Sequence, residues 1–187
     1  PLPPPARGGR GSGCAAGRKG DVGTVKTSGA HCTACASGMY QNEMGRTACT
    51  PCEAGRFGAG GSTSSSCSGA CPGGKWSLAQ SATCSGCDAG RFGSSSIDGT
   101  SVGHCSACEI GKHQAGTAMT FCDACGAGKF QDGAGASECQ DCLAGQYSGA
   151  SAADCTQCEG GKFADSESAV QCVTCLAGTY STDAVGS

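Results

Sequence analysis

Apolar side chains in this 187-residue chain come singly and at intervals, separated by short stretches of small polar residues. Eight of its nine aromatics occupy one place in a recurring phrase: Cys, two small residues, Gly, a variable residue, aromatic. The phrase reads Cys35-Ala-Ser-Gly38-Met-Tyr40 near the start and Cys175-Leu-Ala-Gly178-Thr-Tyr180 near the end, with Phe57, Trp76, Phe92, Phe130, Tyr147 and Phe163 in the same slot between them. His113 takes the slot after Cys108, Lys19 takes it after Cys14, and Phe121 is the aromatic that stands outside it. After each slot run seven to twelve residues rich in Ser, Gly, Ala, Thr and Asp. This pattern predicts strands of two or three residues in irregular hairpins, with almost no helix. The glycine, held at one offset in all ten copies, marks a turn that needs positive φ or close approach of another segment. The aromatic is expected to point inward and cover a disulfide or the glycine face of the next copy, giving a ladder of minimal cores.

Cysteine supplies what large apolar residues do not. Eighteen of the nineteen cysteines form nine close pairs about seventeen residues apart: Cys32/Cys35, Cys49/Cys52, Cys67/Cys71, Cys84/Cys87, Cys105/Cys108, Cys122/Cys125, Cys139/Cys142, Cys155/Cys158 and Cys172/Cys175. Self-similarity at a fixed period is the signature of a repeat architecture. With 34 glycines and 5% aromatics there is too little apolar bulk for a continuous core. Cysteine above about a tenth of a chain marks a disulfide scaffold in an oxidising compartment, so the protein is expected outside the cell or at its surface. Each closure of about fifteen residues contributes roughly 3 kcal/mol on the chain-entropy account. The expected fold is a small disulfide-rich repeat protein: an elongated rod of tandem hairpin modules over residues 14–187, preceded at 1–13 by a Pro/Gly-rich extended arm or linker.

Charge and motif content narrow the function. A net charge of −3 and a pI near 5.5 give no general attraction to nucleic acid. No apolar run approaches the roughly eighteen residues of a membrane span, and the first residues do not read as a signal peptide, so the chain reads as mature or as a fragment. Cys-x-x-Cys spacing is also written in zinc ribbons, yet nine pairs cannot be shared two at a time among four-thiolate sites. His31, His104 and His113 read as packing or loop residues, and the acids lack the alternation of a calcium loop. No catalytic, cofactor or metal residue is assigned, and an enzyme is not expected. The residue before the aromatic slot is basic in seven of ten copies: Arg18, Arg56, Lys75, Arg91, Lys112, Lys129 and Lys162. An outward basic stripe follows, either matched by Glu53, Asp88, Glu109 and Glu159 or free to attract acidic chains and anionic glycans. Asn42 is followed by Glu43 and Met44, so no N-linked acceptor exists, whereas O-linked sugar on Ser/Thr loops or on the N-terminal prolines stays open.

The phrase resembles the single-disulfide module of tumour-necrosis-factor-receptor-like ectodomains and the ephrin-receptor-like tandem repeats, over residues 14–187. The resemblance implies that the second cysteine of each pair bonds the first of the next. The bonds are then Cys14–Cys32, Cys35–Cys49, Cys52–Cys67, Cys71–Cys84, Cys87–Cys105, Cys108–Cys122, Cys125–Cys139, Cys142–Cys155 and Cys158–Cys172. Cys175 is left to bond past Ser187 or to another subunit. Spacing alone leaves other connectivities open, within-pair bonds among them, although these would strain so short a loop. The functional expectation is a structural extracellular protein, part of a surface fibre, filament, flagellar hair or matrix, assembled head to tail from copies of itself. The alternative is a receptor-type ectodomain segment that binds another extracellular protein.

Overall fold

The computed structural model describes residues 13–20, 31–94 and 99–179. The expected arm therefore lies outside the described residues except for Gly13, and the slot residue Tyr180 lies outside them as well. Repeats are numbered here by the cysteine that opens the phrase: 1 at Cys14, 2 at Cys35, 3 at Cys52, 4 at Cys71, 5 at Cys87, 6 at Cys108, 7 at Cys125, 8 at Cys142, 9 at Cys158 and 10 at Cys175.

The strands are two or three residues long and pair as small two-stranded sheets. The slot residue and the residue before it form the first strand, and the second is drawn mainly from the residues enclosed by the next cysteine pair. In repeat 7, Lys129 lies opposite Asp141 and Phe130 opposite Gln140; in repeat 2, Met39 faces Pro51 and Tyr40 faces Thr50. This explains the Cys-x-x-Cys spacing. The enclosed residues are a strand, its first cysteine bonds back into its own repeat, and its second opens the next. The single Cys-x-x-x-Cys absorbs its extra residue by left-handed backbone at Cys67 (φ 57°), so that Gly69 and Ala70 still pair with Phe57 and Arg56. One turn of 3-10 helix spans Val102–His104. No helix among the described residues is long and apolar enough to cross a membrane.

The chain divides into two compact units, Pro1–Cys71 with Trp76–Cys84 and Pro72–Lys75 with Ser85–Ser187. Within each, neighbouring repeats are stitched by the backbone. In the first unit the Gly38 N–H donates to the Gly58 carbonyl at 2.7 Å, and Gly55 to Ser77 at 2.9 Å. In the second, Gly90, Gly111, Gly128 and Gly145 donate to Gln114, Gln131, Ser148 and Ala164 at 2.7–2.9 Å. The acceptor is each time the residue just after the aromatic slot of the next repeat.

A second set of contacts reaches two repeats forward. Ser168, in the loop of repeat 9, adopts φ 60°, donates its N–H to the Cys142 carbonyl of repeat 8 at 2.8 Å and turns its own carbonyl onto Gly128 of repeat 7. Gln80 does the same in the first unit, bonding Cys52 at 2.8 Å and pressing on Gly38. The glycine thus answers to both demands read from its offset. Its φ is positive (82° at Gly128, 77° at Gly38), and a Cβ there would meet a carbonyl oxygen at 2.1 or 2.0 Å.

Sulfur fills the interior. Cys52, Cys71, Cys108, Cys125 and Cys142 are fully buried, whereas Met44, Leu78, Ile110, Phe121, Leu143, Val170, Val173 and Leu176 are exposed. The aromatic slot departs from the expected inward ladder: Tyr40, Phe57, Trp76, Phe92, Phe130 and Tyr147 are only half-buried, and Phe163 is exposed. A two-residue strand is too short to alternate cleanly, and both of its residues are left at intermediate burial, as at Met39–Tyr40 and Lys129–Phe130. The inward position falls to the next residue, and Gln41, Ser77, Gln114, Gln131, Ser148 and Ala164 are buried there.

Candidate functional site: disulfide ladder and inter-repeat grooves

The structure brings together Cys14 and Cys32, Cys35 and Cys49, Cys52 and Cys67, Cys71 and Cys84, Cys87 and Cys105, Cys108 and Cys122, Cys125 and Cys139, Cys142 and Cys155, and Cys158 and Cys172, each pair as a disulfide. Their Cα atoms are 5.4–6.0 Å apart, within the ordinary range for the bond. Each disulfide closes 13 to 18 residues and clips the hairpin of its own repeat. Cys175 is the one free thiol among the described residues.

The buried residue after the slot has a task that the sequence reading did not assign. The Gln131 side-chain amide donates to the Glu138 carbonyl at 2.8 Å while its oxygen accepts the Gly133 N–H at 3.0 Å. Gln41 bridges Ala48 and Glu43 in the same way, and Gln114 bridges Phe121 and Gly116. Where serine replaces glutamine the bond runs to the previous repeat: Ser77 to the Arg56 carbonyl and Ser148 to the Lys129 carbonyl, both 2.9 Å. The signal was present as Tyr40-Gln41, His113-Gln114 and Phe130-Gln131, one polar residue recurring directly behind the slot.

Five of the seven basic positions are engaged at 3.2 Å or less. Lys112 pairs with Glu109 at 3.0 Å and Lys162 with Glu159 at 3.2 Å, acids from the set read as possible partners. Lys129 pairs with Asp141 at 2.6 Å, its cross-strand neighbour. Arg18 and Arg91 instead donate to the Cys32 and Cys105 carbonyls at 3.0 Å. Asp141 also accepts from the Ser168 hydroxyl, and hydrogen bonds from Lys129 first and Ser168 second hold its carboxyl below the ordinary 3.8.

His113 sits in an aromatic slot and covers the next disulfide, its Nδ1 3.2 Å from the Cys139 sulfur. His113, Cys125 and Cys139 place their donor atoms within 4.8 Å of one another, the one such ligand group among the described residues. Both sulfurs are spent on each other, so the oxidised group offers imidazole alone. The Nε2 of His104 is buried without a hydrogen-bond partner.

Two grooves open between repeats of the second unit. One is lined by Phe92, Glu109, Lys112, Thr120, Phe121 and Cys122, the other by Tyr147, Glu159, Lys162, Gln171 and Cys172.

Residues 145–187 match the family model described as tyrosine-protein kinase ephrin type A/B receptor-like. Together with the tandem disulfides this fixes the kind of module. The chain carries ephrin-receptor-like cysteine-rich repeats. The match covers the second groove and Cys175. No curated protein matches the chain. In these ephrin-receptor-like repeats the cysteines, glycines and post-slot glutamines are occupied by the scaffold.

Proposed function

We propose that this chain is part of the extracellular region of a receptor-type protein, in which ephrin-receptor-like repeats form a disulfide-clipped scaffold that binds a protein ligand. The observation that carries this reading is the family match at residues 145–187 on a ladder of nine tandem disulfides. Disulfides at this density persist in oxidising surroundings, which supports a secreted or cell-surface setting. The scaffold suits recognition, because covalent closure and backbone stitching fix the repeats while the Ser/Gly-rich loops and groove walls are free to vary. No catalytic step, cofactor or nucleic-acid partner belongs to this reading. The fibre reading rests on the uniformity of the repeats, without a family match behind it.

Negative-stain electron microscopy of the purified chain carrying Cys175→Ser, with sedimentation velocity at rising concentration, separates the two. Discrete particles of constant size are expected. Filaments that lengthen with concentration would overturn the receptor reading in favour of head-to-tail assembly.

A further inference from the structure

The two grooves of the second unit are built on one plan. Each takes the slot aromatic of one repeat (Phe92 in repeat 5, Tyr147 in repeat 8), the acid after the opening cysteine of the next, that repeat's lysine, and its closing cysteine. In both, the lysine and the acid face each other as an ion pair, Lys112 with Glu109 at 3.0 Å and Lys162 with Glu159 at 3.2 Å. Beside the closing cysteine the first groove adds Thr120 and Phe121, and the second adds Gln171.

Phe121 is the aromatic that no repeat phrase calls for. It is 54% exposed, and its place is held through its backbone, whose carbonyl accepts the Gln114 amide at 2.9 Å. The ring is therefore not what holds its loop, and it lines the groove together with Phe92. A ligand for such a site needs apolar C–H faces for the rings and hydroxyl groups that donate to a carboxylate and accept from an ammonium. An apolar chain would cover the ion pair without replacing its water, which costs free energy. An anion would find the lysine already neutralised by its acid. Neutral sugar rings satisfy both demands.

We propose that these two grooves bind neutral hexopyranose units of a glycan, with Phe92, Phe121 and Tyr147 as stacking faces and the Glu109/Lys112 and Glu159/Lys162 pairs as hydroxyl partners. This goes beyond the receptor reading and does not rest on it.

The test is a chemical-shift titration of the 15N-labelled, disulfide-intact chain with cellohexaose, laminarihexaose, mannohexaose and chitohexaose in turn. At least one is expected to shift the amides around Glu109, Phe121, Glu159 and Gln171. The variant carrying Phe121→Ala, Glu109→Gln, Tyr147→Ala and Glu159→Gln is expected to lose at least about tenfold in affinity, with its thermal unfolding unchanged once Tyr147→Ala alone is subtracted. No shift with any of the four sugars overturns the proposal, as does binding that survives the variant. Salt-sensitive binding of a heparin hexasaccharide at these same residues, with none of the neutral sugars, also overturns it. A consensus peptide selected from a displayed random library that maps to the grooves in place of sugar would reassign them to a protein ligand.

Discussion

The carbonyl of Ser168 lies against Gly128 so closely that a Cβ on the glycine would stand 2.1 Å from the oxygen, although the two residues are 40 positions apart in the chain. Two strains would meet in Gly128→Ala, a left-handed backbone at φ 82° and a steric clash with main chain that cannot swing aside. The expected loss is at least about 2 kcal/mol of stability. Gly126→Ala, which meets nothing within 4 Å, is the control and is expected to be near neutral. Thermal unfolding under non-reducing conditions and exchange protection of the Ser168 amide measure both; equal behaviour of the two variants would show that Gly128 is not the seat of the Ser168 carbonyl.

The residue that fills a seat has left-handed backbone whatever its type. Ala118 does so at φ 58°. Ala118→Gly removes that strain at the expense of some chain entropy and is expected to stabilise by about 0.5–1 kcal/mol. Destabilisation of the same size would show that the methyl contact to Gly86 dominates.

Gln131→Ala strips the brace from the loop of repeat 7, leaving the Glu138 carbonyl and the Gly133 N–H without their partner. A loss of about 1–3 kcal/mol is expected, with faster amide exchange at Gly133 and little change two repeats away. Unchanged exchange at Gly133 would mean that water replaces the side chain at no cost.

The contacts of Asp141 predict acid sensitivity of one sign. Its carboxyl is held below 3.8 by hydrogen bonds from Lys129 and Ser168, so the folded form binds a proton less readily than the unfolded form. The associated stability is present above the ordinary carboxylate value and fades as pH falls through the depressed one. A carboxyl-detected titration of Asp141 is expected to have a midpoint below 3.8, which Lys129→Met moves back upward. An unmoved midpoint in that variant would remove Lys129 as the cause.

Sulfur chemistry gives the bluntest test. Denatured without reductant, the described chain should titrate one thiol, that of Cys175, and a chelator should leave its melting unchanged while a strong reductant abolishes folding. Sensitivity to the chelator alone would favour metal-held cysteines.

Much of the fold was legible because its determinants are local. Cysteine at a fixed offset, glycine three residues on and a short polar loop define each hairpin before any long-range contact forms, and the family resemblance supplied the connectivity. The aromatics misled because the reading assumed strand alternation, whereas a strand as short as Lys129–Phe130 passes the inward position to Gln131. The seats were illegible for another reason. Gly45, Gly61, Gln80, Ala118, Gly135, Ser151 and Ser168 share a backbone shape and a hydrogen bond but no side-chain chemistry, so no residue pattern marks them. The grooves were half-visible: the acid and base were noted, but their meeting with an aromatic from the preceding repeat needed the stacking itself.

The same forward reach sets an order for biogenesis. A newly made repeat can close its own sulfur bridge once its hairpin has emerged, but the seat at its glycine is filled only when the second repeat downstream has been made. Maturation should therefore trail synthesis by two modules, and a ribosome stalled mid-array would hold a tail that is oxidised yet still loose.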